Sequence, residues 1–152
     1  MNVRAGDIRE LMGEHEGIRA HMRFLAKSQN NLSVQDIQAK QKIWAYRCGL
    51  HDFKDEIQFH IEIDERIFHA LPEGVSIQSP VEEHREILKL INELINLADN
   101  AIIDRLSFEE LGEYTVKISL AVDKIFHLVE IHLKTENEIL EKALSKIQAG
   151  KC

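Results

Sequence analysis

Proline occurs twice and glycine seven times in 152 residues. That is too little punctuation for a fold of many short strands and turns, so long helices are expected. No stretch alternates apolar and polar residues with period two, and strands are not expected. The two cysteines, Cys48 and Cys152, form no disulfide framework. Basic residues are in deficit, 19 against 26 acidic, for a net charge of -7. A phosphate backbone would meet no basic surplus, so no nucleic-acid partner is expected. No run approaches the roughly 18 consecutive apolar residues that a membrane-spanning helix needs, and the N-terminal MNVRAGDIRELMG has no signal-peptide core. A cytoplasmic protein without a membrane partner is the expectation.

What is present is a balance of 44% apolar and 30% charged residues, which suits a globular chain and not a disordered acidic tail. The length fits one domain, 1–152, with its core in about 7–148. Four amphipathic segments follow one another. The first runs from Asp7 to about Asn30 and buries Ile8, Leu11, Ile18, Met22, Leu25 and Ala26. The second spans Val34 to Ala70, with Ile43, Tyr46, Leu50, Phe53, Ile57 and Ile67 on its apolar face. Gly49 is a candidate bend, and Leu71-Pro72-Glu73-Gly74 is the stop. A separate short helix is expected near residues 33–42, because the second segment otherwise overhangs the first. The third starts at the N-cap Ser79 with Pro80 in the first helical position, and ends at Asp99-Asn100. The fourth, Ser107 to Gln148, opens with the capping box Ser107-Phe108-Glu109-Glu110. Short connections between four such segments predict an all-α, up-down-up-down four-helix bundle.

The eight histidines divide into two sets. His15, His60, His84 and His132 each lie on the apolar stripe of their own helix, one per helix. His21, His51, His69 and His127 lie roughly 120–180° away from those positions on the helical wheel and read as surface residues. Two of the inward histidines have an acid one turn on, as His60-x-x-x-Asp64 and His132-x-x-x-Glu136, stacked on the same face about 6 Å apart along the axis. One histidine on an apolar stripe is usually a packing residue. Four, with two carboxylates that cannot enter a core without a cation to meet them, point to metal. Imidazole with carboxylate suits iron, zinc, copper or manganese and excludes a dedicated calcium or iron–sulfur site. Six ligands exceed the need of one tetrahedral zinc, whereas two metals bridged by Asp64 and Glu136 use the set fully. Each half of the chain carries a single histidine on one helix and a histidine–acid pair on the next, a two-fold pattern suited to a binuclear centre.

Taken in order, Leu11-x-x-x-His15, His60-x-x-x-Asp64-Glu65, Glu83-His84-Arg85-Glu86-Ile87 and His132-Leu133-Lys134-Thr135-Glu136-Asn137 resemble the hemerythrin-like (HHE cation-binding) family over about residues 7–145. The resemblance implies a four-helix bundle around a non-haem di-iron centre: two iron ions, oxo- or hydroxo-bridged, held by histidines and two bridging carboxylates. By position the ligands would be His15, His60, Asp64, His84, His132 and Glu136. Two departures stand out. The first bridging acid is usually Glu and is here Asp64; Glu56, one turn before His60, is an alternative or additional ligand, against the plainer reading of a charge at the helix edge. The oxygen carriers have a further histidine where this chain has Pro80, so one iron would have a poorer histidine set than in a simple carrier. A ferritin-like di-iron site is excluded, because no Glu-x-x-His pair occurs.

The expected lining of Leu11, Met12, Ile18, Ile57, Ile63, Ile67, Leu88, Leu128 and Val129 contains no tyrosine, serine or cysteine. Such a pocket suits a small diatomic ligand, O2 or NO, better than turnover of a polar substrate. Binding, sensing or scavenging of O2 or NO is therefore expected. The alternatives are a di-iron enzyme that handles peroxide or NO or repairs iron–sulfur clusters, and a metal-poor helical interaction module.

Overall fold

The computed structural model describes residues 3–30, 32, 39–71, 78–103 and 105–150. They form four helices: α1, Ala5–Gln29; α2, Ala39–His69; α3, Gln78–Ile103; and α4, Phe108–Ala149. Each helix packs on two neighbours, α1 on α2 and α4, α3 on α2 and α4. The helices thus form a closed square, an all-α up-down-up-down bundle, with α1 facing α3 and α2 facing α4 across its diagonals. Among the described residues no helix is long and apolar enough to cross a membrane.

The stripes expected from periodicity are the faces that pack. Ile8, Leu11, Ile18, Met22 and Leu25 of α1 are buried, as are Ile43, Tyr46, Leu50, Phe53, Ile57 and Ile67 of α2. At the start of α4, the Ser107 hydroxyl accepts the Glu110 N–H at 3.1 Å while Glu110 accepts the Ser107 N–H at 3.2 Å. This is the capping box that the sequence announces. α1 begins two residues before Asp7, because the Asp7 carboxylate accepts the Arg4 N–H (2.8 Å) and so acts inside the first turn.

Three further features differ from expectation. α3 begins at Gln78, just ahead of Ser79, and it runs past Asp99-Asn100 to Ile103. Asp99 does not cap the helix; it pairs with Arg47 of α2. Ala98 and Ala101 behind it are fully buried, so the apolar face draws the helix onward. Gly49 lies within an unbroken α2, where a Cβ would stand 3.0 Å from Leu25 Cδ2. Its role is close approach to α1. The expected start of the second helix at Val34 and the stop at Pro72–Gly74 lie outside the described residues, as does most of the expected short helix at 33–42; residues 39–42 belong to α2.

The buried interior is divided in two. A large cluster includes Ile18, Ile57, Ile87, Val129 and Leu133, and extends through Phe53, Ile91 and Ile118. A smaller one consists of Ile8, Leu11, Ile67, Phe68, Leu140 and Ala143. Between Leu11 and Ile18 on α1 lies His15; between Ile57 and Ile67 on α2 lie His60 and Asp64; between Leu133 and Leu140 on α4 lies Glu136. A polar layer therefore cuts the core where a continuous apolar stripe would otherwise run.

Candidate metal centre

All six residues singled out by the sequence meet in this layer. His15, Asp64 and Glu136 are fully buried, and His60, His84 and His132 nearly so. They fall into two groups whose ligand atoms lie within 4.8 Å of one another: His15, His60, Asp64 and Glu136 in one, Asp64, His84, His132 and Glu136 in the other. Each group could hold a metal ion, and both acids belong to both groups. Within each half the imidazoles sit edge to face, His15 on His60 with ring centres 4.9 Å apart and His84 on His132 at 4.6 Å.

Glu136 stands between the halves. Its Oε2 lies 2.9 Å from His15 Nε2 and 3.2 Å from His60 Nε2. Its Oε1 lies 2.8 Å from His84 Nε2 and also contacts His132 Nε2. Asp64 approaches from the diagonal helix, with Oδ2 3.0 Å from His84 Nε2. Several of these contacts have ion-pair distance without hydrogen-bond direction. His15 Nε2, His132 Nε2 and both Asp64 oxygens have no hydrogen-bond partner although all are buried. Buried polar atoms are rarely left so, and a cluster of them sharing one space is a donor set that could hold a cation.

The outer nitrogens of the four rings explain why the inner ones are available. His15 Nδ1 lies 2.7 Å from Asn137 Oδ1, His60 Nδ1 3.4 Å from Glu14 Oε2, His84 Nδ1 3.2 Å from Glu65 Oε1, and His132 Nδ1 2.6 Å from Glu83 Oε2. Each partner is an acceptor, so each Nδ1 carries the proton and donates. A neutral ring then has its lone pair on Nε2, facing the centre, which is the tautomer that a metal-binding histidine adopts. The partners also follow the two-fold pattern. Glu14 and Glu83 each precede an inward histidine and reach the histidine of the next helix, His60 and His132. Glu65 and Asn137 each follow an inward acid and reach the single histidine, His84 and His15.

These four partners were not identified as such from the sequence. The available signal was their adjacency to inward residues: a side chain one position on is turned by about 100°, towards the neighbouring helix. Glu56 is not in the centre. It turns to His21 of α1, with Oε2 2.5 Å from Nδ1. Of the other histidines, His69 and His127 are exposed as expected, whereas His21 and His51 are half-buried. His21 also meets the edge of Phe53, ring centres 5.4 Å apart.

Charge in the layer is settled by protons when no cation is bound. Burial pushes the Asp64 carboxyl up to about 9, assisted by the Glu136 carboxylate beside it and opposed by His84. Burial also opposes ionisation of Glu136, but Asp64 and the His132, His15 and His60 rings that face it outweigh burial and hold that carboxyl well below the usual range. For His84, burial disfavours the imidazolium, yet Asp64 and Glu136 together raise the group to about 10. Two buried carboxylates cannot both ionise without cations, and here a proton on Asp64 and another on His84 meet that need.

A cavity of about 230 Å³ between α1 and α2 is lined by Asp7, Glu10, Leu11, Glu14, Ile63, Arg66 and Ile67. It brings solvent to Glu14, the partner of His60. Comparison of the chain with protein-family models, with curated proteins and with solved structures finds no match in any of the three.

Proposed function

We propose that this protein is a hemerythrin-like di-iron protein that binds O2, or senses or scavenges O2 or NO, with His15, His60, Asp64, His84, His132 and Glu136 as the metal ligands. The observation that carries the reading is Glu136, whose two oxygens are divided between the two histidine pairs. One metal would leave one oxygen and two imidazoles unused; two metals use both. A set of imidazoles and carboxylates is at home on iron. When bound, ferrous iron supplies the electrons for reversible combination with a diatomic molecule.

The chain's own residues set the rest. Glu14, Glu65, Glu83 and Asn137 fix the ring orientations and turn each Nε2 towards the centre. The apolar clusters on either side, with Leu11 and Ile67 in one and Ile18 and Ile57 in the other, exclude bulk water and offer no polar group to a larger substrate. A small neutral ligand is the class that such walls admit. Aerobic purification followed by iron analysis and visible spectra tests the reading. Two irons per chain with oxo-bridge charge-transfer bands are expected; less than one iron without such bands would overturn it.

A second reading, an enzyme consuming peroxide or NO, is favoured by one observation. Glu14 is about one-third exposed, lines the cavity and contacts His60, so a titratable carboxyl connects solvent with the centre. Reduction of peroxide or NO consumes protons, and Glu14 would relay them. Many turnovers per chain in the presence of a reductant would select this reading over reversible binding.

A further inference from the structure

The two halves of the centre share Glu136 alike and differ in what stands behind the rings. On the α3/α4 side both histidines donate to carboxylates, His84 to Glu65 at 3.2 Å and His132 to Glu83 at 2.6 Å. On the α1/α2 side His15 donates to the neutral amide oxygen of Asn137, and His60 to Glu14 at a longer 3.4 Å. Glu65 and Asn137 occupy equivalent places in the two-fold pattern, each directly after an inward acid, so the substitution of an amide for a carboxylate is the clearest break in the symmetry. A second break points the same way: the shorter bridging acid, Asp64, places Oδ2 3.0 Å from His84.

We infer that the two positions bind metal unequally, the His84/His132 half taking the first ion and the His15/His60 half the second. A ring N–H held by a carboxylate passes electron density to the opposite nitrogen and makes it a stronger donor; a neutral amide does this weakly. Changing such a partner alters metal affinity by about 10–100-fold, so a gap of about tenfold separates the halves. The inference rests on the two-ion reading above.

The test is titration of the chelator-treated full chain, labelled with ¹⁵N in its histidine rings, with Zn²⁺. Step count alone does not decide, because the second ion meets the charge of the first even at equal sites. The order in which ring signals move does. His84 and His132 Nε2 are expected to shift within the first equivalent, His15 and His60 within the second. Asn137→Asp gives His15 a carboxylate and should narrow the gap to about twofold or less. Glu65→Gln should abolish or invert the order, with circular dichroism showing that both variants remain helical. Two ions taken up with all four rings moving together, or His15 and His60 moving first, would overturn this inference and leave the two-metal reading standing. An order unchanged in both variants would overturn it likewise. No uptake of Zn²⁺ at all would overturn both.

Discussion

Asp64 and Glu136, on the two helices that face each other across a diagonal of the bundle, act as one acid pair with a proton on Asp64. As two carboxylates they would leave the Asp64 oxygens without partners; with a proton, Asp64 donates to Glu136, whose charge is then held by the surrounding imidazoles. A form holding metal would therefore need different protonation of the same residues from the metal-free form.

Asp64→Asn separates the two needs. The amide resembles the protonated acid in shape and charge and can donate to Glu136. Stability of the chelated protein at neutral pH should stay within about 1 kcal/mol of the parent, the scale of one hydrogen bond. Metal affinity should fall by more than about 100-fold, beyond the cost of losing an outer partner. Glu136→Gln should instead destabilise the chelated protein by about 3–5 kcal/mol, because the buried His84 charge loses one of the two carboxyl groups that hold it. Urea denaturation beside metal titration measures both quantities. Equal loss of stability in the two variants would contradict the proton assignment.

Stability of the chelated protein should fall as pH rises from about 6.5 to 9. Asp64 shifts from 3.8 to about 9 on folding, and His84 from 6.5 to about 10. Across this window the folded chain holds two protons that the unfolded chain has released, so unfolding becomes easier by at most about 3 kcal/mol per pH unit. His84 contributes fully below its unfolded value and loses the contribution as pH rises through its folded one. Glu136 acts oppositely: its contribution is present above 4.5 and is lost only as pH falls through its much lower folded value. It is therefore constant in the window. The remaining groups facing the pair are His15, His60 and His132, with Glu65 behind His84. Metal takes the place of the protons, so affinity should rise with pH where stability of the chelated form falls. Melting temperatures measured with chelator and with metal across the range should diverge.

Added Fe(II), kept anaerobic, should raise the melting temperature. At a free concentration about 100 times Kd the gain is about 2.7 kcal/mol, or roughly 5–10 °C for a chain of this length. The same addition to the double variant His60→Ala, His132→Ala should have no effect, since each half loses one of its two imidazoles. Stabilisation of the parent by less than a degree would favour the metal-poor interaction module.

The inward histidines were legible because one histidine in each helix, with an acid one turn on in two of them, broke an otherwise apolar period, and the Ser107–Glu110 box was legible because both halves of the cap are local. Asp99 was misread as a helix end because Asp-Asn suits a terminus, whereas its pairing with Arg47 of α2 is a tertiary fact that no local pattern announces. Glu14, Glu65, Glu83 and Asn137 were hidden for a related reason. On their own helices they sit at the edge of the stripe, where charges are common, and only the adjacent helix shows that each faces an imidazole.

Glu56 shows the same limit from the other side. It lies one turn before His60 and on nearly the same face, so sequence alone offers it as a ligand in place of the shorter Asp64. Across the interface, Gly17 presents no side chain, and a Cβ there would stand 3.7 Å from Glu56 Oε1. In the space beside it Glu56 reaches His21, both residues partly exposed at 35% and 22%. Asp64, not Glu56, belongs to both ligand groups. Glu56→Ala should accordingly leave the number of metals per chain unchanged and cost less than about 1 kcal/mol, the value of a solvent-screened pair. Should the variant lose a metal while its helicity and Tm with chelator stay those of the parent, Glu56 must swing inward on loading, and the short reach of Asp64 would be the reason.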